Sequence, residues 1–148
     1  MNKLLSVFLF SASLFSSFNL SATEFLFESD HQLVGIRGNA YISQVKTDSG
    51  VLQLQIRGGS LASGQVAVGI YTPFYCNSQG ISSGSIEVGS RNINVYEKCS
   101  DNKKVWIAYS PKDDWEFQKS LMIGDKIRIQ GVEFSTIGAT DYILKYKR

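Results

Sequence analysis

Histidine is almost missing from this chain: His31 is the single example in 148 residues. A Ser-His-Asp triad and a zinc site both lean on that side chain, so one histidine removes the usual centre of either. Cysteine is nearly as scarce. Cys76 and Cys99 stand alone, without C-x-x-C spacing or an adjacent histidine to lower a thiol pKa, which sets thiol catalysis aside. Charge of one sign is lacking too: the formal net charge is +2, and the chain comes closer to neutral once Lys3 is removed. That balance gives no basis for non-specific nucleic-acid binding. The lysines at 98, 103 and 104 and the tail Lys145-Tyr146-Lys147-Arg148 read as solvated faces. No internal repeat, low-complexity tract or linker divides the chain.

The apolar run at the start is short for a bilayer span and is interrupted by Ser11, Ser13, Ser16 and Ser17. With Asn2 and Lys3 before it and Leu20-Ser21-Ala22 after it, residues 1–22 read as a cleaved secretory signal. What remains, 23–148, is one domain of about 126 residues, enough for a single core. Its expected address is periplasmic or secreted, with no membrane span after signal cleavage. In that oxidising setting two cysteines favour one disulfide, Cys76 to Cys99. Closing a loop of that length stabilises a fold by about 3 kcal/mol in the chain-entropy account.

Period-two alternation dominates the rest. Val34, Ile36, Gly38, Ala40 and Ile42 share one parity and Arg37, Asn39, Tyr41 and Ser43 the other, which predicts one long strand. Thr47-Asp48-Ser49-Gly50 is turn chemistry, and Leu52, Leu54 and Ile56 then complete a hairpin. Gly58-Gly59-Ser60 and Ser63-Gly64 punctuate the chain before a third strand carrying Val66, Val68 and Ile70. Ile86/Val88 and Ile93/Val95 suggest a small hairpin between the cysteines, and Val105 to Tyr109 the next strand. Ser110, Pro111, Asp113 and Asp114 announce a helix with Phe117 and Leu121 on one face, ended by Gly124. Lys126 to Ile129 alternates, the apolar phase changes across Gln130-Gly131 as at a bulge or bend, and Tyr142, Leu144 and Tyr146 predict a last strand.

This order predicts an all-β fold: a small closed barrel with one plugging helix and a disulfide-clamped insertion, the alternative being a β-sandwich. Val34-Gly35-Ile36-Arg37-Gly38-Asn39-Ala40 and Gly124-Asp125-Lys126-Ile127-Arg128-Ile129-Gln130-Gly131-Val132 resemble the first and fourth strands of exported bacterial members of the OB-fold (oligonucleotide/oligosaccharide-binding) superfamily. Leu121 through Ile129 is similar to the helix-to-strand segment of the cell-binding B subunits of multi-subunit bacterial toxins, a resemblance that implies a glycan-binding ring.

The catalytic patterns fail on context. Gly80-Ile81-Ser82-Ser83-Gly84 matches G-x-S-x-G, yet the nucleophile elbow needs a strand before, a helix after, and an acid and a histidine downstream. Ser100-Asp101-Asn102 echoes a β-lactamase fragment without its partners and reads as a turn. Asp113, Asp114 and Glu116 sit on a first helical turn instead of facing across a cleft, and no calcium-loop pattern is present. No cofactor or metal is implied and the chain reads as no enzyme. Tyr71, Phe74, Tyr75 and Trp106 remain as candidate ligand-binding residues, because Trp106 is opposite in parity to Val105, Ile107 and Tyr109 and is expected to face outward or lie under the insertion. The resulting expectation is a non-enzymatic binding module for a glycan or protein partner, with a homo-oligomer allowed. Its rivals are the toxin-type ring and an exported inhibitor or immunity protein.

Overall fold

A computed structural model describes residues 23–28, 32–58, 66–77 and 80–146. The expected signal segment, His31, Gly59-Ser60, Ser63-Gly64 and Lys147-Arg148 lie outside the described residues. The described elements are β1 (Thr23–Glu28), β2 (Gln32–Arg37), β3 (Ala40–Thr47), β4 (Gly50–Arg57), β5 (Ala67–Tyr75), β6 (Ser82–Val88), β7 (Arg91–Ser100), β8 (Lys103–Ala108), α1 (Pro111–Leu121), β9 (Lys126–Ile129), β10 (Val132–Ser135) and α2 (Ala139–Lys145). All strands join one antiparallel sheet in the order β1-β2-β3-β4-β5-β8-β7-β6-β9-β10, curled into a nearly closed barrel. Side chains tie its last strand across the seam. The buried Tyr41 hydroxyl of β3 lies 3.3 Å from the Ser135 carbonyl and 3.0 Å from that of Ile137, and Gln32 Nε2 donates to the Glu133 carbonyl at 3.4 Å.

The alternating apolar residues fill the barrel: Leu52, Leu54 and Ile56 of β4, Val68 and Ile70 of β5, Ile86 and Val88 of β6, Ile93 and Val95 of β7. α1 closes one end. The Ser110 side chain accepts the Asp113 N–H at 3.2 Å, Pro111 opens the helix, and Phe117 and Leu121 are buried against the core. Asp114 Oδ1 takes the Val68 N–H at 3.0 Å, which ties the helix start to the start of β5. The helix stops at Leu121 with Met122 as its right-handed cap, so Gly124 plays no part in ending it.

Three expected strands change identity. The long strand from Val34 is a hairpin whose turn is Gly38-Asn39, with Gly38 at φ +59°. A two-residue turn pairs Arg37 with Ala40 and Ile36 with Tyr41, so the core-facing parity switches from even to odd. Tyr41 and Ser43, expected outside, are therefore interior; Ala40 and Ile42 are buried on the other face, so the alternation looks unbroken in sequence. The phase change at Gln130-Gly131 has the same cause: both residues have positive φ, 49° and 79°, and they form the tight turn joining β9 to β10.

The last expected strand is α2. Ala139, Tyr142 and Ile143 are buried and Tyr146 packs on the core, a spacing of three, four and seven that belongs to a helix, while Leu144 is exposed. Gly138, left-handed at φ +81°, starts it. Tyr142 donates to the Asn39 carbonyl and accepts the Gly58 N–H at 3.1 Å; its ring lies 6.0 Å from Tyr41 and 5.2 Å from Tyr146. The Tyr146 ring covers Gly58 so closely that a Cβ there would overlap it.

Burial holds both phenols protonated beyond their ordinary range, Tyr41 well upward and Tyr142 from 10.0 to about 12. Between those values the unfolded chain binds fewer protons than the native one, so stability is intact below pH 10.0 and falls as pH rises towards 12. Urea midpoints measured at stepped alkaline pH should decline over this window, and Tyr142→Phe should flatten the decline.

Candidate functional site

β5 and β8 carry all four candidate aromatics. Pro73 has no N–H to give, and the β5–β8 register shifts between Tyr71 and Tyr75. Thr72 spans the irregularity, donating from its hydroxyl to the Lys104 carbonyl at 2.9 Å and accepting the Phe74 N–H at 3.2 Å.

Strand pairing decides which way each ring faces. Trp106 is opposite the buried Ile70, whereas Val105 and Ile107 are opposite Tyr71 and Gly69. Trp106 is thus on the interior parity, half-buried against the core, and the outward or insertion-covered placement expected for it is corrected. Val105 and Ile107 take the outer parity, although Val105 is buried there as expected, and Tyr109, expected inside, is 60 % exposed. The four aromatics accordingly divide. Phe74 and Trp106 meet at the end of the barrel away from α1, with ring centroids 6.4 Å apart and planes tilted by 50°. Tyr71 lies on the outer face, and Tyr75, opposite Lys103, is 68 % exposed at the margin.

The Trp106 ring is held by Glu97, its cross-strand partner: Nε1 donates to Oε2 at 3.0 Å, while Oε1 faces Lys104 Nζ at 3.3 Å. The hydrogen bond from Trp106, followed by the contact with Lys104, holds the Glu97 carboxyl below its usual range. Beside this group Cys76 and Cys99 are joined as a disulfide, their Cα atoms 5.9 Å apart. The Cys76 N–H donates to the Asn102 carbonyl at 3.0 Å, at the tight Asp101-Asn102 turn between β7 and β8. A hollow of about 190 Å³ adjoins the bridge, lined by Gly80, Ile81, Ser82, Glu97 and Lys98. Ile81, 69 % exposed, is in the lining of this hollow, and Phe74 and Tyr75, 42 % and 68 % exposed, lead into Cys76; the three are the large exposed side chains of the rim, flanking the bridge in the chain.

Glu97, Lys104 and Ile81 were not among the candidates. Their signals in the sequence are a glutamate two residues before Cys99, a lysine pair four and five residues after it and an isoleucine in a Ser-Gly stretch. Ser82 of the G-x-S-x-G match begins β6, with no helix following. The acidic cluster is structurally engaged: Asp113 bonds Ser110 and Asn94, Asp114 bonds Val68 and Gln118, and Glu116 pairs with Lys119 and Arg91. Burial raises the Asp114 carboxyl pKa, and Lys119 lowers that of Glu116. Among the described residues no His, Cys, Asp and Glu group suits a metal ion, and no helix is long and apolar enough to cross a membrane. Compared with known proteins, the chain matches no family model, no curated protein and no solved structure.

Proposed function

We propose that the chain is an exported, non-enzymatic binding module, acting in the periplasm or beyond, that grips a protein partner with the disulfide-anchored rim. The observation that carries this reading is that Phe74, Tyr75 and Ile81, large and exposed, all lie within five residues of Cys76, where a covalent tether anchors the chain. Exposed aromatic anchors on a rigid support are the usual centre of a protein interface. Lys98 and Lys103 border the patch and favour a partner with an acidic margin. The export half of the reading rests on the apolar, serine-broken start of the chain and on the disulfide. A narrower form is an inhibitor whose rim enters the mouth of an exported enzyme.

The test uses residues 23–148, oxidised, immobilised and exposed to the exported proteins of the source cell. A partner retained by the native chain should bind Phe74→Ala/Tyr75→Ala at least about tenfold more weakly, since two anchors are truncated. Equal retention by the double variant would remove the rim from the function.

A further inference from the structure

The outer face of the sheet, on the opposite side from the Phe74–Trp106 pair, carries apolar hollows with an ordered polar margin. Strand pairing lines up Gln55, Gly69, Ile107, Tyr96 and Ser83 in one row across β4, β5, β8, β7 and β6. At the usual strand spacing that row is about 19 Å long. Two hollows open along it. The smaller, about 80 Å³, is mainly apolar, lined by Gly69, Val105 and Ile107 with neighbouring β5 side chains, and Tyr71, Gln55 and Arg57 border it. The larger, about 450 Å³, is lined by Ser83, Gly84, Ser85, Asn94 and the exposed Tyr109.

The polar groups bordering both hollows are oriented. Arg57 Nε donates to Gln55 Oε1 at 3.0 Å, Gln55 Nε2 donates to Gln53 Oε1, and Gln53 Nε2 donates to Gln44 Oε1 at 2.9 Å. The donors run in one direction, so each bond polarises the next. Gln55 is only 9 % exposed and its amide nitrogen gives one of its two hydrogens to Gln53. At the other end Asn94 Nδ2 donates to Asp113 Oδ1 at 3.2 Å, which fixes the amide and leaves Oδ1 as an acceptor. Fixed amides, serine hydroxyls and a tyrosine face suit a ligand with hydroxyls around a ring that has an apolar face.

We propose that this outer face is a second binding site, taking an extended, uncharged oligosaccharide laid across the strands, with one sugar ring against Tyr109. An extended peptide pairs along a free strand edge, which among the described strands of this row only β6 offers, before its pair with β9 at Val88; the proposed ligand instead crosses β5, β8 and β7, each flanked by a strand on both sides. Recognition on this face belongs to side chains. Gly69 shapes the smaller hollow, for a Cβ added there would sit in ordinary contact with Ile107 and Tyr71 and take up part of the space.

Cellotriose and chitotriose, titrated into the ¹⁵N-labelled oxidised chain, test the site. At least one should bind saturably, with shifts at Gly69, Ile107, Asn94 and Tyr109. Tyr109→Ala should weaken that binding by about tenfold and Ser83→Val should weaken it as well, while Phe74→Ala leaves it unchanged, separating this site from the rim. Absence of saturable binding by both sugars, shifts confined to the rim, or unaltered affinity in both Tyr109→Ala and Ser83→Val would overturn the proposal.

Discussion

Phe134→Ala is expected to lower the unfolding free energy by about 4 kcal/mol, through lost transfer energy and the cavity left behind. Phe134 is fully buried in β10, a strand of only four residues. Its strand has one ladder partner, β9, and β9 in turn meets the rest of the sheet at the single pair Val88–Ile129. Collapse into the void would mean moving β10, which the Tyr41 hydroxyl fixes at Ser135 and Ile137. The cavity therefore persists in place of being filled, which puts the cost in the upper part of the range for aromatic truncation. Urea unfolding followed by tryptophan fluorescence measures it, with Phe74→Ala as the exposed control. A loss below about 1 kcal/mol would mean that the site does collapse.

Cys76→Ser/Cys99→Ser is expected to cost about 3 kcal/mol, the stabilisation expected of a bridge closing a loop of this length. The separation of the two cysteines is 23 residues, and the loop includes all of β6 and most of β7. For a domain of this length the corresponding fall in Tm is roughly 10 °C. Far-ultraviolet circular dichroism should be retained at 25 °C, because β7 keeps its register with β8 from Val95 to Ser100 without the bridge. Calorimetry of the oxidised chain against the double variant gives the number. An unchanged Tm would show that the cross-link restrains little in the unfolded chain.

Most of the barrel is legible from alternation, because half-buried strands write their burial into every second residue. The β3–β4 hairpin, β5, the β6–β7 hairpin and α1 are all where Leu52 to Ile56, Val66 to Ile70, Ile86 to Val95 and Ser110 to Leu121 place them. What alternation hides is the two-residue turn. Gly38-Asn39 and Gln130-Gly131 occupy two positions, so a period-two pattern runs through them with only a change of parity, and β3 conceals even that by burying both faces at Ala40–Ser43. α2 was missed because Tyr142 and Tyr146 fit either period; Ala139 and Ile143 decide the matter, and they count only once Tyr41 and Gly58 are known to be opposite. In the candidate site the residue types were legible but not their grouping. Which side Trp106 faces depends on its pairing with Ile70, a relation between segments 36 residues apart that no local pattern carries.

The order of strands in the sheet also has a kinetic consequence. Seven of the nine neighbouring pairs join strands consecutive in the chain, the exceptions being β5 with β8 and β6 with β9. Pairing between chain neighbours keeps contact order low within β1 to β5 and within β6 to β8, which favours their assembly as two meanders. The slower events are the non-local ones: docking along β5 and β8, pairing of β6 with β9, and closure of the seam between Tyr41 and Ser135. Cys76 follows the end of β5 and Cys99 lies beside the turn into β8, so oxidation records that the docking has taken place.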